Sequence, residues 1–141
     1  MTIMGTRKLE ALRREESLRL LRSVSVGRLV FTHLALPAIR PVNHAVEGDQ
    51  VIIRAYVGTA IDTAVGSNSG MVVAYEADFI DPDTHLGWSV IIVGRASRLT
   101  DQDEAARYRE LLRPWVVDGA DDLIVIQADM VDGFRLVGTA A

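Results

Sequence analysis

Residues 40–62, RPVNHAVEGDQVIIRAYVGTAID, contain the signals that decide the fold. A run of β-branched and small residues at 38–46 is followed by the turn-forming residues 47–49, Glu-Gly-Asp, and then by the apolar residues 51–53. This pattern predicts a β-hairpin. Thr59 is a suitable N-cap, and the apolar residues after it fall at helical spacing, which predicts a short helix following the hairpin.

The end of the hairpin and the start of this helix form a candidate anion site. Arg54 ends the second strand, and Gly58-Thr59 opens the helix. Unpaired amides at a helix start accept phosphate or carboxylate groups, and an arginine fork adds charge-assisted hydrogen bonds. The alternative is that Arg54 caps a sheet edge or forms an ion pair with Glu76 or Asp78, and that Gly58-Thr59 is an ordinary loop.

Composition limits the class of protein. The 141 residues fit a single domain spanning 1–141, with residues 1–13 expected to be flexible. Hydrophobic residues make up 49% of the chain and charged residues 24%, which excludes disorder, and no apolar run is long enough for a membrane span. The absence of cysteine and of an export signal favours the cytoplasm, and the net charge of −4 argues against a nucleic-acid partner.

The rest of the chain predicts several strands and few helices. An amphipathic helix is expected over 9–23, and another begins at its N-cap Thr100 and ends at Pro114. Strands are expected at 28–33, 71–79, 87–96, 123–128 and 131–137. The strand at 87–96 is almost continuously apolar, which indicates burial on both faces, with a second subunit as one possible cover. Six or so strands favour an antiparallel closed or half-closed barrel over a parallel doubly wound sheet.

Several motifs follow one another in a fixed order along residues 14–138. They are VGRL at 26–29, PAIRPVN at 37–43, Gly48-Asp49 with Ile53-Arg54, the Gly58-Thr59 helix start, GWSVIIVGRA at 87–96 and Pro114-Trp115. Together they resemble the FMN-binding split-barrel superfamily, the pyridoxamine 5'-phosphate oxidase-like proteins, and within it the nitroimidazole-reductase-like branch. The resemblance implies a mainly β protein, a six-stranded antiparallel Greek-key split barrel with a few flanking helices. It also implies a homodimer with FMN bound at the subunit interface.

The resemblance also implies which residues contact FMN. It places residues 40–43 beside the isoalloxazine, a phosphate grip at Arg54 and Gly58-Thr59, and a shield for the ring or the dimer mouth at Trp115. The full set of implied cofactor-binding residues is Arg40, Pro41, Val42, Asn43, Ile53, Arg54, Gly58, Thr59, Ala60, Trp88, Ser89 and Trp115.

Two residues weigh against a strong phosphate site. Many members of the superfamily carry a lysine or arginine directly after the small hydroxyl residue of this helix start, whereas this chain has Ala60. Asp62 places a carboxylate in the first helical turn, where it competes with a phosphate for the same positive field. FMN is therefore the expected cofactor, and a deazaflavin, a haem or no cofactor remain open.

His44 is the candidate catalytic residue, because it lies beside Asn43 and the ordinary pKa of histidine is near neutrality. The alternative is a half-exposed histidine of a strand. The acidic residues between 76 and 83 are interpreted as strand and solvated-turn residues, so no metal site is predicted. The sequence predicts an FMN-dependent oxidoreductase that acts on an unidentified small molecule. A non-catalytic binder or sensor of a flavin, deazaflavin or haem is the alternative.

Overall fold

A computed structural model describes residues 7–56, 59–66, 70–115 and 121–138. The described residues form eight strands and three helices. In chain order the elements are β1 (Arg7–Leu12), α1 (Arg14–Arg22), β2 (Val26–His33), β3 (Leu36–Glu47), β4 (Gln50–Tyr56), α2 (Ala60–Val65), β5 (Met71–Ile80), β6 (Gly87–Arg98), α3 (Gln102–Leu111), β7 (Asp121–Gln127) and β8 (Met130–Gly138). Within these residues, every helix is too short or too polar to cross a membrane.

The strands from β2 to β7 close a barrel. β2, β3 and β4 are successive antiparallel neighbours, and β5 returns to the free side of β2, which is the strand order of a Greek key. β6 pairs with β5, and β7 pairs with β4. The ring closes where residues 96–98 of β6 pair with residues 124–126 of β7. The predicted six-stranded antiparallel barrel with few helices is therefore confirmed.

β6 belongs both to the barrel and to an outer ribbon. Its first half, residues 87–93, pairs with β8, which pairs on its far side with β1. Its last residues pair with β7 instead. Between these two partners, a Cβ atom on Gly94 would lie 1.6 Å from the carbonyl oxygen of Gln127. Glycine is therefore required where β6 passes from one partner strand to the other.

The barrel interior contains the main hydrophobic core. Alternate residues of each strand point inward, as Val73, Tyr75 and Ala77 of β5 show. β4 differs, because residues 51–55 are all buried. The barrel interior covers one face of β4, and α3 covers the other through a smaller apolar cluster of Ile52, Ala105, Tyr108, Leu112 and Leu123.

The N-terminal segment differs from the sequence prediction. The helix predicted over 9–23 begins only at Arg14, because residues 7–12 form β1 instead. Glu, Ala and Leu in this segment favour a helix, but β8 presents an open edge whose hydrogen-bonding groups β1 satisfies. The sequence predicted that residues 1–13 are flexible. Residues 7–12 of this segment form a paired strand.

The central hairpin forms as predicted. β3 and β4 pair around a turn in which Gly48 has φ +59°, a conformation that favours glycine. α3 begins one residue later than predicted, because its N-cap is Asp101 rather than Thr100. The Asp101 carboxylate accepts hydrogen bonds from two backbone N–H groups of the first turn, at 2.9 and 3.0 Å.

Candidate functional site

A pocket of about 160 Å³ lies where β3, β4, α2 and the segment after α3 meet. Its lining residues are Arg40, Pro41, Val42, Asn43, Arg54, Ala55, Tyr56, Thr59, Ile61 and Trp115. The sequence predicted all of these except Ala55, Tyr56 and Ile61. The fold therefore brings together residues from separate parts of the chain that the resemblance assigned to one cofactor.

The β3 side of the pocket follows strand alternation. Val42 is buried and faces the barrel core, whereas Pro41 and Asn43 face the opposite side. Asn43 donates a hydrogen bond from Nδ2 to the carbonyl oxygen of Arg113, at 2.7 Å. Arg40 donates only to the preceding carbonyl oxygen in the bonds described, at 2.7 Å, and its guanidinium is exposed. This side thus presents a cation and an amide around an apolar interior.

The guanidinium of Arg54 is engaged within the chain. Its Nη1 lies 3.1 Å from the Asp121 carboxylate, and its Nη2 donates to the carbonyl oxygen of Arg109 in the last turn of α3, at 3.0 Å. Only 5% of the side chain is exposed. Its buried Nε has no acceptor among the described residues. Arg54 therefore joins β4 to α3 while it lines the pocket.

Glu76 and Asp78, which the sequence suggested as alternative ion-pair partners of Arg54, do not pair with it. Glu76 and Asp78 face Arg28 instead, at 3.3 and 4.0 Å. Burial and, to a lesser extent, the neighbouring Asp78 raise the pKa of Glu76 to about 7. Across the described ranges, the structure shows no cluster of acidic or histidine side chains able to hold a metal ion.

α2 contributes Thr59 and Ile61 to the pocket. The Thr59 hydroxyl donates to the carbonyl oxygen of Tyr56 at 2.6 Å and accepts from the backbone N–H of Asp62 at 3.4 Å, which confirms the predicted N-cap. The Asp62 carboxylate, which the sequence placed in competition with a phosphate, contacts Arg98 at 2.5 Å. Gly58, also predicted here, lies outside the described residues.

Trp115 follows α3 and is 52% exposed beside the pocket. Its backbone N–H donates to the hydroxyl oxygen of Tyr56 at 2.8 Å. Together with the bond from Asn43 to Arg113, this contact ties the segment after α3 to both strands of the pocket. Sequence reasoning missed Tyr56, although its position just before the predicted Gly-Thr helix start was an available signal.

The remaining predicted cofactor residues do not line the pocket. Ile53 and Trp88 are 0% and 8% exposed and pack in the barrel core, because they lie on the inward faces of β4 and β6. Ala60 packs against the same core from α2. Ser89 lies half-buried on the outer face of β6.

His44, the predicted catalytic residue, is not among the residues that line this pocket. It is 6% exposed, Nε2 lies 2.8 Å from the carbonyl oxygen of Leu21, and Nδ1 bonds the Tyr75 hydroxyl. A carbonyl only accepts, so Nε2 carries the proton and Nδ1 accepts from Tyr75 in the neutral ring. Burial lowers the pKa of His44, opposed by smaller backbone contributions. His44 lines a separate surface cavity together with Arg28 and Asp78, so it is not placed to donate a proton at this pocket.

The chain matches a known family over most of its length. A family model described as pyridoxamine 5'-phosphate oxidase matches residues 13–132. The chain belongs to the pyridoxamine 5'-phosphate oxidase family. This confirms the resemblance drawn from the order of motifs along the sequence, and the closed six-stranded barrel agrees with it.

Individual proteins are similar to this chain over nearly its whole length. It is 47% identical over 135 residues to the uncharacterized protein Rv0080 of Mycobacterium tuberculosis, covering 94% of this chain and 89% of that protein. The solved FAD-binding protein from Mycobacterium smegmatis has a TM-score of 0.76 and 30% identity, with 93% and 100% of the two chains covered. A candidate pyridoxamine 5'-phosphate oxidase from Corynebacterium glutamicum has a TM-score of 0.75 and 27% identity, with 94% and 100% covered.

Proposed function

We propose that this member of the pyridoxamine 5'-phosphate oxidase family binds a flavin nucleotide, FMN in the first instance, and serves as an oxidoreductase for a small molecule. The observation that carries the proposal is the convergence of residues 40–43, Arg54, Thr59 and Trp115 on one pocket. These are residues that the family resemblance associates with the isoalloxazine and the phosphate. The similarity to an FAD-binding protein at 30% identity supports a flavin as the ligand.

The described residues fit a planar ligand that carries a phosphate. Val42, Ala55 and Ile61 offer apolar surface to a ring system. Among the described residues the buried Nε of Arg54 has no acceptor, and a ligand oxygen would supply one, because a buried donor without a partner is costly. The exposed guanidinium of Arg40 adds a second cation beside the pocket.

A bound flavin supplies hydride or electron transfer, so the protein needs no nucleophile of its own. The residues of the chain would hold and orient it. The backbone of residues 40–43 would offer donors and acceptors to the polar edge of the ring, and the hydroxyl of Thr59 lies on the side assigned to the phosphate. Trp115 would shield a ring face from water.

Titration of the purified protein with FMN is expected to produce the bound absorption bands of an oxidised flavin, which bleach when a reduced nicotinamide nucleotide is added. FMN at about 100 times its Kd is expected to raise the free energy of unfolding by about 2.7 kcal/mol, measured by thermal denaturation. FAD titrated in parallel decides which nucleotide is preferred. A melting temperature that neither FMN nor FAD changes would contradict the proposal.

A single substitution tests the location of the ligand. Trp115→Ala removes a half-exposed side chain, so the fold is expected to stay intact while the Kd for FMN rises. Leu111→Ala is the matched control, because Leu111 is 62% exposed on α3 and does not line the pocket. If the two variants bind FMN with equal Kd, FMN binds outside this pocket.

A non-catalytic binder or sensor of a flavin, deazaflavin or haem is the second candidate. The residues described as lining the pocket include no carboxylate and no histidine, and the buried His44 is not among them. The pocket thus offers a ligand good packing but few groups for proton transfer. Bound flavin that reduced nicotinamide nucleotides fail to bleach would favour this candidate.

We also propose that the protein forms a homodimer through the outer face of the sheet. The strand register places Ile39, Val30, Ala74, Val93 and Met130 side by side across β3, β2, β5, β6 and β8. We call these residues the outer row. Ile39 and Met130 are 59% and 61% exposed in the single chain. A continuous apolar row on an exposed face is typical of an interface, and a second copy would cover it.

The outer row borders the pocket. Pro41 and Asn43 lie on the same face of β3 as Ile39, because they alternate with inward-facing residues. A second copy seated on the outer row would therefore reach the pocket mouth as well as Ser89. This geometry supports the expectation that the ligand lies near the subunit interface.

Val93→Asp is expected to convert the dimer to a monomer, because it places an unpaired carboxylate in the middle of the outer row of each copy. The dissociation constant of the dimer is expected to rise by about 100-fold or more. Sedimentation velocity over a range of protein concentrations measures the change. Leu111→Asp puts the same charge on an exposed apolar residue of α3 and is expected to leave the dimer intact. A wild-type protein that sediments as a monomer at all concentrations would rule out the interface.

A further inference from the structure

Arg98 lies at the end of β6, and its guanidinium contacts four acceptor oxygens. Its Nη2 contacts the carboxylate of Asp62 at 2.5 Å and the carbonyl oxygen of the same residue at 3.0 Å. Its Nε donates to the carbonyl oxygen of Gly66, and its Nη1 contacts the carboxylate of Asp122. Arg98 therefore binds α2 in its first turn and at its C-terminal cap, and links both to β7.

α2 depends on such tertiary contacts for its position. A helix of six residues is too short to be stable alone. Its buried side chains are Ile61 and Val65, which pack into the barrel core. Arg98 supplies polar contacts to Asp62 and Gly66, which follow these two residues directly in sequence and lie on the neighbouring side of the helix. Because Thr59 and Ile61 line the pocket, the position of the pocket wall depends on the contacts between Arg98 and α2.

Arg98 also determines where the Asp62 carboxylate lies. Asp62 is adjacent in sequence to the pocket residue Ile61, and its side chain is 15% exposed. The contact with Arg98 draws the carboxylate to the β6 side of α2, and its charge is balanced there. Without this contact, the Asp62 carboxylate would lose its guanidinium partner one residue from the pocket wall, and its negative charge would repel an anionic ligand.

We propose that Arg98 is a positioning residue of the pocket: it fixes α2 against the barrel and holds the Asp62 carboxylate away from the ligand. The inference rests on the proposed binding of a phosphate-bearing flavin. It assigns to Arg98 an indirect effect on the phosphate end of the ligand, although Arg98 does not line the pocket.

Arg98→Met is expected to raise the Kd for FMN about tenfold, which corresponds to about 1.4 kcal/mol, while the Kd for riboflavin changes little because riboflavin has no phosphate. The double variant Arg98→Met with Asp62→Asn is expected to regain most of the lost FMN affinity, because the repelling charge is gone. Fluorescence quenching of each flavin measures the Kd values, and far-UV circular dichroism establishes that each variant is folded.

The control on the same strand is Arg95→Met, which breaks an exposed ion pair with Asp129. It is expected to leave both Kd values unchanged. Arg98→Lys keeps a cation against Asp62 but loses the planar guanidinium, so it is expected to bind FMN more weakly than the wild type and more tightly than Arg98→Met. It tests the proposal if Arg98→Met fails to fold, and wild-type FMN affinity in Arg98→Lys would then exclude the positioning role.

Four outcomes would overturn the assignment. Wild-type affinity for FMN in Arg98→Met excludes a positioning role. Equal losses for FMN and riboflavin, or no recovery in the double variant, exclude the electrostatic part and leave Arg98 as a structural residue only. If the wild-type protein binds neither flavin, the proposed function fails and this inference fails with it, so the wild-type titration separates the two cases.

Discussion

Replacing Asp121 by asparagine is expected to lower the free energy of unfolding by about 3–5 kcal/mol. The Asp121 carboxylate is the counter-ion of Arg54, whose side chain is 5% exposed, and it also contacts Nε of Arg109 at 3.2 Å. Asparagine has nearly the same shape but no charge, so it leaves a buried guanidinium uncompensated. Urea denaturation followed by circular dichroism measures the loss.

The same substitution is expected to affect the pocket. Arg54 lines it, and the ion pair with Asp121 holds the guanidinium between β4 and α3. Loss of the pair frees Arg54 to move, so FMN affinity and stability are expected to change together. For this reason the Kd for FMN must be compared at a temperature where each variant is folded.

An exposed ion pair provides the control. Asp129→Asn breaks two similar contacts with Arg95, whose side chain is 63% exposed, and is expected to cost about 0–1 kcal/mol because solvent screens the pair. Adding Arg54→Met to Asp121→Asn removes the stranded charge, so the double variant is expected to be more stable than Asp121→Asn alone. If Asp121→Asn lowers the free energy of unfolding by no more than Asp129→Asn does, the interpretation of Arg54 and Asp121 as a buried ion pair is contradicted.

His44→Leu is expected to destabilise the protein by about 2–5 kcal/mol at pH 8, because it leaves the carbonyl oxygen of Leu21 and the hydroxyl of Tyr75 without their partner in the core. The size of the effect depends on Tyr75, which lies 3.5 Å from the carbonyl oxygen of Val42 and has this second acceptor available. Urea denaturation at fixed pH measures the effect. A loss below about 1 kcal/mol would mean that His44 is not the hydrogen-bonded core residue described.

The pH dependence of stability gives a second signature of His44. Burial lowers its pKa in the folded state, so the unfolded chain takes up the proton first as the pH falls. The stability that the neutral ring contributes is therefore present above the ordinary histidine pKa of about 6.5 and is lost as the pH falls below it. The difference in stability between the wild type and His44→Leu is expected to narrow from pH 7.5 to pH 5.

Glu76 contributes with the opposite sign over the same range. Its pKa is raised from 4.5 to about 7, so its contribution is present at low pH and is lost as the pH rises through about 7. Introducing Glu76→Gln into both proteins removes this contribution and leaves that of His44. Parallel pH profiles of the two Glu76→Gln proteins would contradict the assignment of a lowered pKa to His44.

The strands and the central hairpin could be predicted because their signals are local. Alternation in residues 71–79 indicated one buried face, and Gly48 marked the turn, as the structure confirms. Thr59 was identified as the cap of α2 from its neighbours alone. The segment 7–12 was wrongly predicted as part of a helix, because its fate depends on the open edge of β8 rather than on its own helix-forming residues.

The candidate site was predicted as a set of residues but not as a set of interactions. The family resemblance identified Arg40, Asn43, Arg54, Thr59 and Trp115, and the fold places them around one pocket. It did not indicate which side of a strand each residue would face in relation to the pocket. Ile53, Trp88 and His44 therefore lie in the core, although they were predicted as site residues.

The sequence by itself determined the barrel, its hairpins and the family, because turn residues, alternation and the order of motifs act over short stretches of chain. Only the tertiary structure decided the partners of the charged groups. Arg54 pairs with Asp121, and Asp62 contacts Arg98, across distances in sequence that no local pattern encodes. Ion pairs and hydrogen bonds of buried groups form between whatever side chains the packed strands bring together, so these contacts appear only when the barrel closes.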